Sequence, residues 1–203
     1  MDVLFTGFIT VILVITVIQA IRIRKQYVNT IYPALFSNYL EYFYRYFFRQ
    51  NVSTSNWIKQ ELGVHRLIYN SLIDKDGQVT QTYVTLLCTR GMFVIRDLRS
   101  TGKINGGKND KHWIVSRNKE DKTKTYRIPN PEHELDRHIV YQHQQLKLEG
   151  HGILAFRDNT DLTLVKSNYP VLHDKDVVSY IKSQPEQLNE QQILAAFDLV
   201  KKN

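Results

Sequence analysis

The stretch Gly91-Met-Phe-Val-Ile-Arg-Asp-Leu-Arg-Ser-Thr-Gly-Lys-Ile104 decides the fold. Its first part is short, continuously apolar and bounded by turn residues, which predicts a buried strand over residues 92–95. The strand ends in Arg96 and Asp97, and Gly102 then marks a turn.

The sequence around this strand predicts an α/β domain with a mixed sheet, because helical and strand patterns are interspersed. We expect the helix that precedes the hairpin to extend from Trp57 to Leu72, although Gly63 interrupts its pattern. A hairpin of residues 79–89 and 92–95 should follow, and then a meander of strands at 112–116 and 126–128. A helix from Pro131 to about Leu148 and strands at 150–156 and 162–165 come next. We expect Asp174 to cap a further helix, and a capping box of Asn189 and Gln192 to open the last one.

A long uncharged run stands near the start of the chain. The 19 residues from Val3 to Ile21 are rich in Val, Ile, Leu and Phe, and this is about the length that crosses ~30 Å of hydrocarbon. Two residues precede the run and no cleavage site follows it, so a retained anchor is favoured over a signal peptide or a buried core helix. Arg22, Arg24 and Lys25 come next, and the positive-inside rule therefore predicts a single-pass cell-membrane protein with its soluble domain in the cytoplasm.

The segment that follows is rich in aromatic side chains. Between Tyr27 and Gln50, ten of 24 residues are Tyr or Phe. Such rings partition to the bilayer interface, which predicts a second membrane contact from Tyr27 to Phe48 through a helix lying on the membrane. A helix packed on the soluble domain is the alternative. A second full span is disfavoured, because Glu41 and Arg45 would lie inside it.

Six short motifs between Trp57 and Ile181 share the order and spacing of a known family. They are Gly63 with its helix, Gln81 on the first core strand, Gly91-Met-Phe-Val-Ile95, Gly102-Lys-Ile104 with Trp113 downstream, Asn130-Pro131 with the later His138, and Gly152-Ile-Leu-Ala-Phe156. On these residues the chain resembles the nuclease-related domain family, a bacterial branch of the restriction-endonuclease-like nucleases. The resemblance implies a mixed-sheet core flanked by helices. Together with the apolar run and the aromatic segment, it predicts an anchor over 1–25, an aromatic juxtamembrane helix and joint over 26–56, a nuclease-related domain over 57–183 and a C-terminal helix over 184–203.

The family's catalytic positions are replaced in this chain. Members hydrolyse phosphodiesters with carboxylates that hold a divalent cation, usually Mg²⁺, and with a lysine near the nucleophile. The corresponding positions, Glu, Asp, Glu and Lys in the family, are Val64, Tyr83, Arg96 and Leu98 here. The resemblance thus implies a pseudoenzyme with no catalytic residue, metal ligand or cofactor. Mg²⁺ is expected only if relocated acids such as Asp97, Glu61 or Asp110 rebuild the site, and Asp97 should face away from Arg96.

Positive charge is concentrated in one part of the chain. Residues 96–127 carry ten Lys or Arg and four acids, against a net charge of +7 for all 203 residues. A basic face beside a nuclease-type cleft predicts binding to a phosphate backbone. Solvated loops and attraction to an anionic leaflet are the alternatives. The candidate nucleic-acid-binding residues are Arg96, Arg99, Lys103, Lys108, Lys111, Lys122, Lys124 and Arg127.

Three functions are compatible with these observations. The first is a membrane-tethered nuclease-related domain that binds DNA or RNA without cutting it. The second is a membrane-anchored scaffold whose aromatic segment binds a membrane protein, and the third is an active Mg²⁺-dependent nuclease with a relocated site.

The only cysteine, Cys88, lies in an apolar run and is expected to be a buried thiol in a reducing compartment. Glu134 and His138 are spaced to share one helix face, without a zinc-binding motif.

Overall fold

A computed structural model describes residues 2–48, 52–73, 79–117 and 125–201. In chain order, the elements are α1 (Asp2–Val28), α2 (Tyr32–Leu35), α3 (Tyr39–Phe48), β1 (Val52–Ser53), α4 (Asn56–Leu62), β2 (His65–Ile73), β3 (Val79–Cys88), β4 (Gly91–Leu98), β5 (Lys103–Gly107), β6 (His112–Ser116), β7 (Thr125–Pro129), α5 (Pro131–Leu146), β8 (Gly150–Phe156), β9 (Asp161–Lys166), β10 (Val171–His173), a 3₁₀ turn (Asp174–Asp176), α6 (Val177–Lys182) and α7 (Glu190–Lys201).

The larger of two mixed sheets has the strand order β1-β2-β3-β4-β8-β10. Its first four strands are antiparallel, whereas β8 and β10 continue the sheet in parallel with β4. The predicted hairpin is confirmed as β3 and β4, with Thr89 and Arg90 in the turn. Every residue of β4 is buried, so the quoted strand lies at the centre of the sheet, as its apolar composition predicts. The predicted α/β class is therefore correct.

A smaller sheet, with the order β7-β6-β5-β9, lies beside the first. It contains the predicted meander, but β5 was not expected as a strand because Gly102, Gly106 and Gly107 resemble a turn sequence. The structure explains Gly106 by packing. A Cβ there would lie 2.2 Å from Cγ of Trp113, so only glycine allows the fully buried indole to contact the strand. The strand predicted at 162–165 corresponds to β9 and joins this sheet instead of the larger one.

The predicted helix from Trp57 to Leu72 is wrong in its second half. The helix ends at Leu62, and the chain continues as strand β2. Gly63 has φ 75°, the left-handed region that ends helices at low cost for glycine. Leu67 and Tyr69 then alternate along the strand and are buried against the helices. The apolar residues Leu62, Leu67, Ile68 and Leu72 also fit one helical face, because short apolar runs fit both periods.

The helices cover both faces of the larger sheet. Phe93 and Ile95 of β4 point to the face that α2, α3, α4 and α6 cover, whereas Met92 and Val94 point to the face under α5 and α7. The predicted start of α5 is confirmed: Asn130 accepts a hydrogen bond from the backbone N–H of Glu132 and thereby caps the helix. The predicted capping box of α7 is confirmed as well. Asn189 and Gln192 each accept a hydrogen bond from the other's backbone N–H, both at 2.9 Å.

Helix α1 is long and apolar enough to cross a membrane over Gly7–Val28, and only 6% of this span is buried. It is therefore not a core helix of the domain. The aromatic segment after it is largely built into the domain. Tyr32, Phe36 and Tyr42 are buried in the same core as the larger sheet, on the face opposite α5. These three rings match the alternative in which the segment packs on the domain.

Candidate functional site

Three polar side chains form a row across the strands of the larger sheet. Asn70 of β2 is paired with Tyr83 of β3, and Tyr83 is paired with Arg96 of β4. Because side chains of paired residues point to the same face, all three face helix α5. Two of them, Tyr83 and Arg96, occupy positions at which the resemblance implies an acidic metal ligand.

Helix α5 places a second polar row over the first. Glu134, His138 and Gln142 are four residues apart and therefore lie on one side of the helix, as expected for the first two. Glu134 lies against Arg96, with 3.6 Å between Oε2 and Nη2. The His138 ring stacks on Tyr83, with 4.1 Å between ring centroids. The two rows thus contact each other through the pairs Arg96–Glu134, Tyr83–His138 and Asn70–His138, and we call them the polar seam.

The positive charge of Arg96 is confined within this seam. Its side chain is 8% exposed, its guanidinium lies 4.7 Å from the centroid of the Tyr83 ring, and Nη1 is 3.5 Å from the carbonyl oxygen of Thr82. Burial lowers the pKa of Arg96 from its usual range, while Tyr83 and Glu134 oppose this shift. A guanidinium has no lone pair to offer a cation, so this position repels Mg²⁺ instead of binding it.

His138 is neutral and fixed in orientation. Burial lowers its pKa to about 4, and the positive charge of Arg96 adds to the effect. Its Nε2 atom lies 3.3 Å from the amide nitrogens of both Asn70 and Gln142. Amide nitrogens are donors, so Nε2 is the acceptor and the ring proton is on Nδ1. A histidine with this environment is suited to a structural contact at neutral pH, not to binding a proton.

A cleft of about 380 Å³ opens between the end of β4, strand β7 and the start of α5. Its residues include the two arginines Arg96 and Arg99, the carboxylate of Glu134 and the half-buried ring of Tyr126. The Arg99 side chain is 42% exposed. It donates from Nη2 to the Thr82 hydroxyl at 3.0 Å and lies 3.9 Å from Asp97. Arg99 is therefore the arginine of this cleft that can reach an external anion.

The predicted basic residues that the structure describes lie at the cleft and on the smaller sheet with its turn. Lys103, at the start of β5, lies 3.8 Å from Asp161 at the start of β9. Lys108 and Lys111 are exposed around the turn between β5 and β6, and Arg127 is exposed on β7. Lys122 and Lys124 lie outside the described residues. The cleft thus carries Arg96 and Arg99, while the other described cations lie on the smaller sheet and its turn.

That turn is held by two polar side chains. Asp110 accepts a hydrogen bond from the Gly107 N–H at 2.7 Å. Asn130, the residue that caps α5, donates from Nδ2 to the carbonyl oxygens of Gly107, Lys108 and Asp110, the last at 2.8 Å. The position of Lys108 is therefore coupled to the start of the helix that carries Glu134.

The acids considered as relocated metal ligands have other contacts. Asp97 points away from Arg96, as predicted, and its Oδ1 accepts a hydrogen bond from Arg157 at 2.7 Å. Glu61 binds Lys182 at 3.0 Å, and Asp110 holds its own turn. Val64 and Leu98 pack in different apolar clusters. Among the residues that the structure describes, no group of three or more His, Cys, Asp or Glu side chains is placed to hold a metal ion.

Sequence reasoning missed an ionic cluster on the opposite face of the sheet. Arg157 follows β8 and contacts both Asp97 and Asp174, and it donates to the carbonyl oxygen of Asn29 at 2.9 Å. Asp174, expected as a helix cap, is instead a partner of this arginine. Burial raises its pKa to about 7, with Arg157 opposing and Asp97 supporting the shift. The sequence signal for this cluster was limited to three charged residues, Asp97, Arg157 and Asp174, which lie at or just after the ends of β4, β8 and β10.

Comparisons with models of protein families, with curated protein sequences and with solved structures found no match to this chain.

Proposed function

We propose that this chain is a membrane-anchored, catalytically inactive relative of the nuclease-related domain proteins that binds the phosphate backbone of nucleic acids without cutting it. In this proposal α1 is the anchor of a single-pass protein, and the soluble domain is cytoplasmic. The restriction-endonuclease-like fold is part of the proposal. It is supported by the mixed sheet, the central hairpin and the motifs at Asn130-Pro131 and Trp113.

The polar seam is the observation that carries the loss of catalysis. In a metal-dependent nuclease, carboxylates must converge on one cation. Here the corresponding face presents Arg96, Tyr83 and Asn70, and α5 fills the space above them with Glu134, His138 and Gln142. The polar seam offers a metal ion no set of ligands, because its one carboxylate, Glu134, already pairs with Arg96.

Binding of a polyanion is supported by the charges around the cleft. Arg99 is partly exposed in it, and Lys108, Lys111 and Arg127 are exposed on the neighbouring smaller sheet. The Arg117 guanidinium lies 5.4 Å from the Tyr126 ring, at the border between cleft and sheet. Cations together with a partly exposed ring are the elements that bind phosphates and bases in sequence-tolerant nucleic-acid sites.

Salt-dependent binding by the full chain in lipid nanodiscs tests this function. With zwitterionic lipids, fluorescently labelled DNA and RNA should bind at low ionic strength, and log K should fall linearly with log salt. Lys108→Glu with Lys111→Glu should weaken binding and reduce the slope by about one unit per lost phosphate contact. Lys59→Glu with Lys175→Glu, two exposed lysines beyond the cleft, is the matched control.

The result has three distinct outcomes. Binding that is lost in the first variant and kept in the control supports the proposal. Equal binding by both variants, or no binding at low salt, removes it. Cleavage of the same substrates with Mg²⁺ or Mn²⁺ would show a working nuclease and overturn the assignment as a pseudoenzyme.

A further inference from the structure

We propose that the exposed side of α3 lies in the interface of the bilayer that α1 crosses, near the level of Ala20, so that the domain contacts the membrane directly. We call this contact of α3 with lipid the membrane seat. The occupant of this surface is lipid. The inference rests on the proposed anchoring through α1 and adds a second contact to it.

The depth of α3 follows from one hydrogen bond. The Tyr39 hydroxyl donates to the carbonyl oxygen of Ala20 at 2.6 Å, so the Tyr39 side chain reaches α1 at that residue. Ala20 belongs to the last turn of the uncharged run that ends at Ile21. Since a helix rises ~1.5 Å per residue, Ala20 is about 12 Å before the end of α1 at Val28. The first side chain of α3 therefore extends into the candidate span.

Charged residues mark the same level as the membrane boundary. Arg22, Arg24 and Lys25 follow Ala20 within two turns of α1, and all three are exposed. Long basic side chains at the end of a span extend to the lipid phosphates. If these residues reach the headgroups, Ala20 and the Tyr39 hydroxyl lie at the boundary between headgroups and acyl chains.

The two sides of α3 have different environments. Tyr42 and Arg45 are buried against the domain, and the Arg45 guanidinium lies 3.6 Å from the Tyr69 ring centroid of strand β2. On the other side, Leu40 is 73% exposed and Tyr44, one turn later, is 59% exposed. An aliphatic and an amphipathic aromatic side chain at interface depth are typical of a helix that lies in the headgroup region.

Contacts between α1 and the domain make this seat rigid. The Tyr27 ring near the end of α1 contacts Tyr39 and Tyr42, with centroid distances of 5.6 and 5.2 Å. Arg157 binds the carbonyl oxygen of Asn29, directly after α1. The connection is therefore packed and hydrogen-bonded.

The seat also sets the direction of the cleft. Helix α3 covers one face of the larger sheet, while α5 and the Arg96–Glu134 pair lie on the other face. A domain whose α3 rests on lipid therefore presents α5 and this pair away from the membrane.

Site-directed spin labelling of the full chain in lipid nanodiscs tests the seat. Cys88 is fully buried, so it should not take the label, which wild-type protein checks directly. Labels at Leu40→Cys and Tyr44→Cys are compared with Ile12→Cys in the middle of α1 and with Val140→Cys on α5, which is 56% exposed and on the other face of the domain. Accessibility to oxygen and to a water-soluble nickel complex then reports depth.

The expected oxygen-to-nickel ratio is several-fold higher at positions 40 and 44 than at position 140, and highest at position 12. Ratios at 40 and 44 equal to that at 140, with position 12 deep in the bilayer, would overturn the seat and leave the anchor intact. Exclusion of both reagents at 40 and 44 would show a protein contact there and overturn the assignment to lipid. Water exposure at position 12 would refute the anchoring itself, on which the inference rests.

Discussion

Arg96 and Asp97 are neighbours in strand β4 and take part in two separate ionic clusters on opposite faces of the larger sheet. Arg96 lies 3.6 Å from Glu134 of α5, and Asp97 lies 2.7 Å from Arg157 after β8. The alternation of side chains along a strand separates them. One strand end therefore connects the cleft on one face with the junction to α1 on the other, since Arg157 also binds Asn29.

Placing an acid at position 96 should damage the fold without creating a metal site. Arg96→Glu places a second carboxylate next to Glu134 in a largely buried seam, and removal of one partner of such a pair costs about 3 kcal/mol or more. We expect a clear loss of Tm and no recovery of Tm with excess Mg²⁺. Thermal unfolding of the full chain in nanodiscs measures both.

A charge swap supplies the control for this variant. Arg96→Glu combined with Glu134→Arg should recover part of the loss, because the pair is rebuilt with reversed sign. Arg127→Glu, an exposed change on β7, should alter stability by no more than about 0.5 kcal/mol. Stabilisation of Arg96→Glu by Mg²⁺ would contradict the interpretation of the seam.

The local sequence around β4 determined much of the architecture, and the limits of prediction have physical causes. The hairpin, the start of α5 and the capping box of α7 depend on neighbouring residues, so they could be predicted. Strand β5 could not, because Gly106 leaves room for the buried Trp113 ring of the next strand, a contact that depends on the fold. The arginine at the end of β4 was visible in the sequence. The compensation of Arg96 by Glu134 was not, because it depends on how α5 lies over the sheet.

The neutral state of His138 should make the domain sensitive to acid. Its pKa is lowered by burial to about 4 in the folded chain, against about 6.5 when unfolded. The stability that the neutral ring contributes is thus present above pH ~6.5 and is lost as pH falls towards about 4. His138→Phe keeps a ring on Tyr83 but does not titrate, so its Tm relative to wild type should rise as pH falls through this window.

The control for His138 is an exposed histidine on the same helix. His133→Phe makes the same substitution at an exposed position of α5, and its Tm relative to wild type should show a smaller change over the same pH range. A parallel pH dependence in the two variants would show that His138 is not the titrating group.

Asp174 should have the opposite pH dependence. Burial raises its folded-state pKa to about 7, whereas the unfolded value is about 3.9. Its contribution to stability is therefore present below pH ~4 and is lost as pH rises through about 7. Asp174→Asn should consequently gain Tm relative to wild type as pH rises from 4 to 7. Asp176→Asn, whose side chain is 53% exposed, is the matched control, and an equal gain there would reject the assignment.

Two variants of Asn130 can separate helix capping from the support of the basic turn. Its Oδ1 caps α5, while its Nδ2 donates to the carbonyl oxygens of Gly107, Lys108 and Asp110. Asn130→Ala loses both functions and should cost about 1–2 kcal/mol, the usual cost of a lost cap. Asn130→Asp keeps an acceptor for the Glu132 N–H but turns a second oxygen towards three carbonyls, which repel it.

If the turn positions Lys108 for a phosphate, Asn130→Asp should weaken nucleic-acid binding by more than its loss of stability explains. Folding of the helix start is followed by Tm, and binding is followed by the salt titration on nanodisc-embedded protein. Asn189→Asp is the control, because that residue caps α7 through the same kind of hydrogen bond without contacts to the turn. Equal binding by Asn130→Asp and Asn189→Asp would show that the geometry of the turn does not matter for the ligand.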